Sequence, residues 1–192
     1  MENELHSISA LIRRRRAIFP NSYNDKPIEE SLILEILENA NWAPTHRMTE
    51  PWRFKVFRGA ALERLGNYLG EYYRSHTAPE AFSDMKYNKM VHNATRSGAV
   101  MAIILHRDAE ERVPEWEELA SVAASVQNMW LTCTAHGIGS YWSTPGAILQ
   151  AEEFLGLKEG ERCLGLFYMG YHDLGDIPGK RSPIEDKVEW LR

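Results

Sequence analysis

The chain lacks the common signatures of catalysis carried by the polypeptide alone. Gly137-Ile138-Gly139 follows a helical stretch rather than a strand, and Trp142 stands where the third glycine of a Gly-x-Gly-x-x-Gly fingerprint would fall. No Walker loop, His-Glu-x-x-His or Cys-x-x-Cys occurs, and Ser140, Ser143 and Thr144 lie in no Gly-x-Ser-x-Gly. The seven histidines form no ligand-like pair, so no metal site is expected. Two cysteines, Cys133 and Cys163, sit in apolar stretches; they are read as reduced core thiols of an intracellular, cytoplasmic protein. The longest apolar run, Gly98 to Leu105, is too short to span a bilayer, and the first apolar run passes straight into arginines rather than a cleavage site. No repeat or linker divides the chain, so residues 1–192 are read as one domain. With 22 basic and 27 acidic residues the net charge is −5, which gives no general reason for a nucleic-acid or membrane partner. If the protein is an enzyme, a bound cofactor carries the reaction.

Apolar spacing predicts the elements. Leu5, Ile8, Leu11 and Ile12 mark a first helix that ends within Arg13-Arg14-Arg15-Arg16. Residues 20–27 read as loop, and Ile28 to Ala43 as an amphipathic helix stopped by Pro44. Arg53 to Phe57 alternates as a strand, Ala60 to Tyr73 is helical, and residues 74–95 are helical in part. Ala99 to Leu105 is continuous enough for a central strand. Pro114 and three acids open a long helix, apolar over more than half its circumference, which Gly137 ends. A short helix over 147–155, a strand over Cys163 to Tyr171 and an irregular tail complete the chain. A sheet with helices on both faces follows.

Three stretches stand out. Four consecutive arginines on a helix point about 100° apart, so they grip one anion only where the helix ends among them. The alternative is a solvated cap that suits the helix dipole. Thr45-His46-Arg47-Met48-Thr49-Glu50-Pro51-Trp52 is a polar loop between regular elements. Gly137 to Gly146 combines three glycines, a proline, hydroxyls and two aromatics. It reads either as a helix cap leading into a strand or as backbone donors and flat rings suited to a planar cofactor.

Together, in order, these pieces resemble the FMN-dependent nitroreductase family. The pieces are Arg14-Arg15-Arg16 closing the first helix, Ala43-Pro44-Thr45-His46 running to Pro51-Trp52, the Gly-x-Gly-Ser-x-Trp stretch, and Pro178-Gly179-Lys180-Arg181-Ser182-Pro183. Val113-Pro114-Glu115-Trp116-Glu117 is similar to the compact bacterial NAD(P)H nitroreductase subgroup. The resemblance implies an α+β fold with a mixed central sheet flanked by helices, and an intertwined homodimer with two FMN sites at its interface. It places Arg14, Arg15, Arg16 and Arg181 at the FMN phosphate, where Arg16 stands in place of a usual serine. It places Trp42 and His46 beside the flavin; Met48 and Glu50 replace an Asn and a Gln, and His46 is the substitute donor. Trp142, Ser143 and Thr144 match the stretch along the isoalloxazine, and Thr132 to Gly137 a nicotinamide-linked segment.

The implied activity is ping-pong transfer of hydride from NAD(P)H, through flavin N5, to a small-molecule acceptor such as a nitroaromatic or quinone. No residue of the chain is then a nucleophile or metal ligand. Three alternatives stand beside it. They are another flavin reaction on the same fold (fragmentation, dehalogenation or dehydrogenation), a non-enzymatic flavin-binding protein, and a nucleic-acid binder acting through Arg13 to Arg16.

Overall fold

The computed structural model describes residues 2–191, with side chains described from residue 7; Leu5, counted in the first helical spacing, lies outside the described side chains. The elements run α1 (Glu2–Arg14), α2 (Glu30–Asn41), β1 (Trp52–Phe57), α3 (Ala60–Ser75), α4 (Asp84–Thr95), β2 (Ala99–His106), α5 (Glu115–Ala135), β3 (Ile138–Ser143), α6 (Gly146–Leu149), α7 (Glu152–Leu155) and β4 (Glu161–Tyr171).

The strands form one sheet in the order β1-β2-β4-β3, with every neighbouring pair antiparallel. β2 and β3, joined by the α5 crossover, run parallel to each other. β4 lies between them, so the crossover creates no parallel ladder. The mixed character expected of the sheet is confined, among the described residues, to an isolated parallel bridge between Ala17 and Ser140.

Helices cover both faces. On one, Ile33, Ile36 and Ala40 of α2 and Val122, Val126, Met129 and Cys133 of α5 pack against Met101, Ile103, Phe167 and Met169. On the other, Leu62, Leu65 and Leu69 of α3, Ala94 of α4 and Ile148 of α6 pack against Val100, Ala102, Leu166 and Tyr168. β2 is covered twice, and so its sequence is apolar without alternation. α5 starts after Pro114 with Glu115, Glu117 and Glu118 in its first turn, where carboxylates oppose the positive end of the helix dipole. It ends where Gly137 takes φ +69. Its 21 residues extend about 30 Å. Among the described residues no helix is long and apolar enough to cross a membrane.

One irregularity shapes the far end of β3. The β2–β4 register shifts between Ile103 and Ile104, opposite Gly165, which takes φ +132. A Cβ at Gly165 would meet the Ser143 carbonyl oxygen and the Trp142 indole nitrogen at 2.5 Å. Trp142 fits against this bare backbone and donates to the Leu164 carbonyl at 3.0 Å.

Candidate functional site

α1 ends at Arg14, and the chain then turns along the open edge of β3, where the Ile18 N–H donates to the Ser140 carbonyl at 3.0 Å. After this turn Arg14, Arg15 and Arg16 take different partners. Arg14 reaches the Thr134 carbonyl at the end of α5, at 3.4 Å. Arg15 lies over the Trp130 ring, 4.5 Å from its centroid. Arg16 folds back to donate to the carbonyls of Arg13 and Arg15 at 2.6 and 2.7 Å. Its Nε is buried with no partner. The tail passes directly over Arg16, so that a Cβ at Gly179 would land on its guanidinium. Burial, then the charges of Arg181 and Arg16, push the Arg15 pKa below its usual value. Among the described residues none of Arg14, Arg15, Arg16 and Arg181 has a carboxylate within ion-pair distance. The result is a group of cations held close with no carboxylate in ion-pair contact, an arrangement that suits an anionic ligand.

A cleft of about 530 Å³ opens here, with Arg14, Arg16, Thr134, Gly137 and His172 on its wall and Asp176 as its acid. The C-terminal end of α5 faces this cleft with the negative end of its dipole, so only formal positive charge could hold an anion in it. Thr134, Ala135 and Gly137, part of the segment matched to nicotinamide binding, lie on the same wall.

β3 leads from this cleft to a second one. Alternation along the strand sends Trp142 to the α5 face, where it pairs with Phe167, and sends Tyr141 and Ser143 to the opposite face. The side chains of Trp142 and Ser143 therefore cannot meet one ligand from the same side. The Ser140 carbonyl faces the open edge, and the same alternation aims the Trp142 N–H and C=O outward. The second cleft, about 600 Å³, is lined by Phe19, Asn21, Lys89, Asn93, Tyr141 and Ser143. Tyr141 stacks on Tyr168 with centroids 4.9 Å apart. Burial raises the Tyr141 phenol, and hydrogen bonds with Ser143 and Asn93 partly oppose that. Thr144 follows at the exposed rim. From Ile138 to Ser143 the strand advances about 16 Å; Ile138 lines the basic cleft and Tyr141 and Ser143 the aromatic one, and the adjacent residues Ile18 and Phe19 line one each. Lys89 and Asn93 were not singled out in the sequence. Their signal was an i, i+4 pair on α4, too common to point to a ligand before the fold placed it beside Ser143.

Trp42 and His46 lie elsewhere on the same chain. Trp42 closes α2, is 79% exposed, and donates to Glu38 at 2.9 Å. His46 Nδ1 meets Glu117 Oε2 at 2.5 Å in the first turn of α5. The loop carrying it holds Arg47, Met48 and Glu50 at positive φ of 53°, 53° and 41°. These are unfavourable for side chains and cost roughly 1–3 kcal/mol each. Thr45 helps to hold the loop: its Oγ1 accepts from the Glu50 N–H at 3.1 Å. His46 is anchored at Glu117 and Arg14 at Thr134, seventeen residues apart on α5, or about 26 Å. The fold brings Arg14, Arg15, Arg16 and Arg181 together, with Trp142, Ser143 and Thr144 one strand-length away. It does not bring Trp42 or His46 to them within one chain. Among the described residues no group of three His, Cys, Asp or Glu is placed to hold a metal ion.

Comparison with known proteins bears on this geometry. The profile of the Nitroreductase family matches residues 12–171. The protein YfhC of Bacillus subtilis (strain 168), provisionally named an NAD(P)H nitroreductase, is 30% identical over 191 residues, covering 96% of this chain and 95% of its own. A crystal structure described as a nitroreductase-like family protein from Bacillus cereus shares 27% identity with a TM-score of 0.82, covering 96% of this chain and 95% of that one. The FMN-dependent nitroreductase NfnB from Mycobacterium smegmatis, solved in complex with NADPH, has a TM-score of 0.77 at 17% identity, covering 98% and 99%, a likeness of fold.

Proposed function

The chain belongs to the nitroreductase family, and from that premise we propose that it is an FMN-dependent oxidoreductase acting as a single domain. It passes two electrons from NAD(P)H to a small-molecule acceptor such as a nitroaromatic or a quinone. The observation that carries the reading is the uncompensated cluster of Arg14, Arg15, Arg16 and Arg181, with the orphaned buried Nε of Arg16 inside it. Such a donor set fits a phosphomonoester, which offers several acceptor oxygens and about two negative charges.

Arg14, Arg16 and Arg181 would hold the phosphate. The open edge of β3 at Trp142, together with Ser143 and Thr144, would hold the ring. The basic and aromatic clefts, joined along β3 and at Ile18 and Phe19, suit a ligand with an anionic end and a planar end joined by a flexible chain. When bound, FMN supplies a two-electron carrier at N5 that serves NAD(P)H and acceptor in turn, in ping-pong order. The residues bind, orient and exclude water. Lys89, exposed in the aromatic cleft and without an ion pair among the described residues, would be the cation available to offset negative charge on a ring bound there.

His46 reaches the same ring only from a second copy of the chain, and Trp42 is assigned to the ring with it. His46 is anchored at Glu117, about 26 Å along α5 from the Thr134 contact of Arg14, and this supports a homodimer with composite sites. Trp190 and Leu191, 78% and 90% exposed in the isolated chain, are suited to burial against that copy.

The test is the visible spectrum of the purified protein, followed by anaerobic addition of NADPH or NADH, with light scattering to measure the mass in solution. Flavin bands bleached by either nucleotide, on a particle of two chains, are expected. A colourless protein that also fails to take up FMN would overturn the reading.

A further inference from the structure

His46 sits on a strained, exposed loop, yet its ring is held by one strong contact, Nδ1 to Glu117 Oε2 at 2.5 Å. An ionised carboxylate only accepts, so Nδ1 carries the hydrogen and donates. This fixes the tautomer. Nε2 is left with no protein partner among the described residues and with solvent beside it, the His46 side chain being 57% exposed. Glu117 is itself held by its position in the first turn of α5, after Pro114, and its side chain is 24% exposed. The ring and its carboxylate come from two different elements and meet at one point. Thr45, the strained residues Arg47, Met48 and Glu50, and Pro51 set the loop that brings them there.

We propose that the His46–Glu117 pair is a proton-delivering dyad for the acceptor half of the reaction, with Glu117 the positioning residue. This deepens the oxidoreductase reading and rests on it. The pair serves the site of the partner copy, since it lies about 26 Å from its own chain's phosphate residues.

A quinone that has received an electron pair originating in NAD(P)H carries negative charge on oxygen. The Nε2–H bond of the His46 imidazolium breaks and an O–H bond forms on that oxygen. The imidazolium becomes neutral imidazole, and solvent returns the proton to Nε2. Glu117 stays ionised throughout, stabilises the imidazolium, and keeps Nε2 as the nitrogen that faces out. The carboxylate–imidazole logic is that of a base oriented by a third group. Among the described residues Glu117 is the titratable group within ion-pair distance of the ring; Arg47 and Glu50 are the charged groups on its own loop.

The experiment uses the FMN-loaded full chain, with p-benzoquinone as the probe acceptor, and the variants His46→Gln, Glu117→Gln and Glu117→Asp. Long-range ¹⁵N–¹H spectra of the imidazoles read the tautomer independently of activity. Wild type is expected to show His46 with hydrogen on Nδ1; Glu117→Gln should lose that preference and Glu117→Asp should keep it. Stopped-flow reoxidation by the quinone should slow by about 10²-fold in His46→Gln, with loss of the fall in rate toward alkaline pH. Glu117→Gln should slow it by a smaller factor, and Glu117→Asp should restore most of that loss.

Reduction by NAD(P)H is recorded in the same samples. A wild type that binds no flavin overturns the oxidoreductase reading and the dyad together. A flavin-loaded wild type reduced by NAD(P)H, whose reoxidation keeps the same pH profile in His46→Gln, overturns the dyad alone. So does a His46 tautomer unaltered by Glu117→Gln.

Discussion

Replacing Arg14 and Arg16 together with alanine removes two of the three cations assigned to the phosphate. A hydrogen bond to a charged group contributes about 1.5–3 kcal/mol, so two lost partners correspond to about 3–6 kcal/mol. Arg14 is exposed and therefore screened, whereas Arg16 is half-buried. The lower part of that range applies, a fall in FMN affinity of about 10²–10³-fold. Arg16 also donates to the carbonyls of Arg13 and Arg15, so some loss could arise from fraying of α1 alone. Riboflavin separates the two causes because it lacks the phosphate. Fluorescence titration of the apoprotein should show wild type favouring FMN over riboflavin by at least 10²-fold. In the double variant the FMN advantage should collapse while riboflavin affinity holds within a few-fold. Raising the salt concentration should weaken FMN binding to wild type and leave riboflavin binding nearly unchanged. If the variant loses FMN and riboflavin in equal proportion, or keeps full FMN occupancy, the arginines do not hold the phosphate.

Gly165→Ala should destabilise the fold by about 1–3 kcal/mol, because the new Cβ meets backbone and indole at 2.5 Å in a φ +132 conformation; an unchanged urea midpoint would refute this. Cys133 is pushed up to about 12 by burial, from an ordinary thiol value of 9.0, and burial raises the Tyr23 and Tyr168 phenols. The folded state thus holds protons that the unfolded chain releases. Their contribution to stability is complete below pH 9 and declines as pH rises toward 12, by up to about 1.4 kcal/mol per pH unit for each group. Urea midpoints measured from pH 8 to 11 should therefore fall, and a flat profile would contradict the burial of these groups. Both cysteines are buried and free, so an aromatic disulfide reagent at pH 8 should label no thiol in the native protein and two in denaturant. Rapid native labelling would mean that the core around Cys133 or Cys163 opens readily.

Much of the scaffold was legible because its periodicities are strong. The apolar run of β2, the broad apolar face of α5 and the alternation of β1 all fall where their patterns place them. The stretch from Gly137 to Gly146 proved to be cap and strand together. Gly137 ends α5, and Ile138 to Ser143 form the edge strand whose backbone faces outward. Residues 74–95 were only partly legible. α4 has little apolar contrast: Ala94 is its buried residue, Met90 packs beside it on the same core, Tyr87 and Val91 lie against the α3 glycines Gly66 and Gly70, and polar residues are interspersed among them.

The sequence by itself determined the elements and the chemical kinds in the site. Arginines at a helix end, a His in a polar loop and a Gly-rich strand entry are local facts, written in composition and spacing. Only the tertiary structure decided which of them meet. The tail has to cross Gly179 over Arg16 before Arg181 can press on Arg15. α4 has to dock before Lys89 and Asn93 share a cleft with Ser143. The length of α5, about 30 Å, holds His46 at one end and the arginines at the other, and the loop carrying His46 bends through three strained residues to meet Glu117. No local pattern encodes these meetings, because each depends on contacts between residues far apart in the chain.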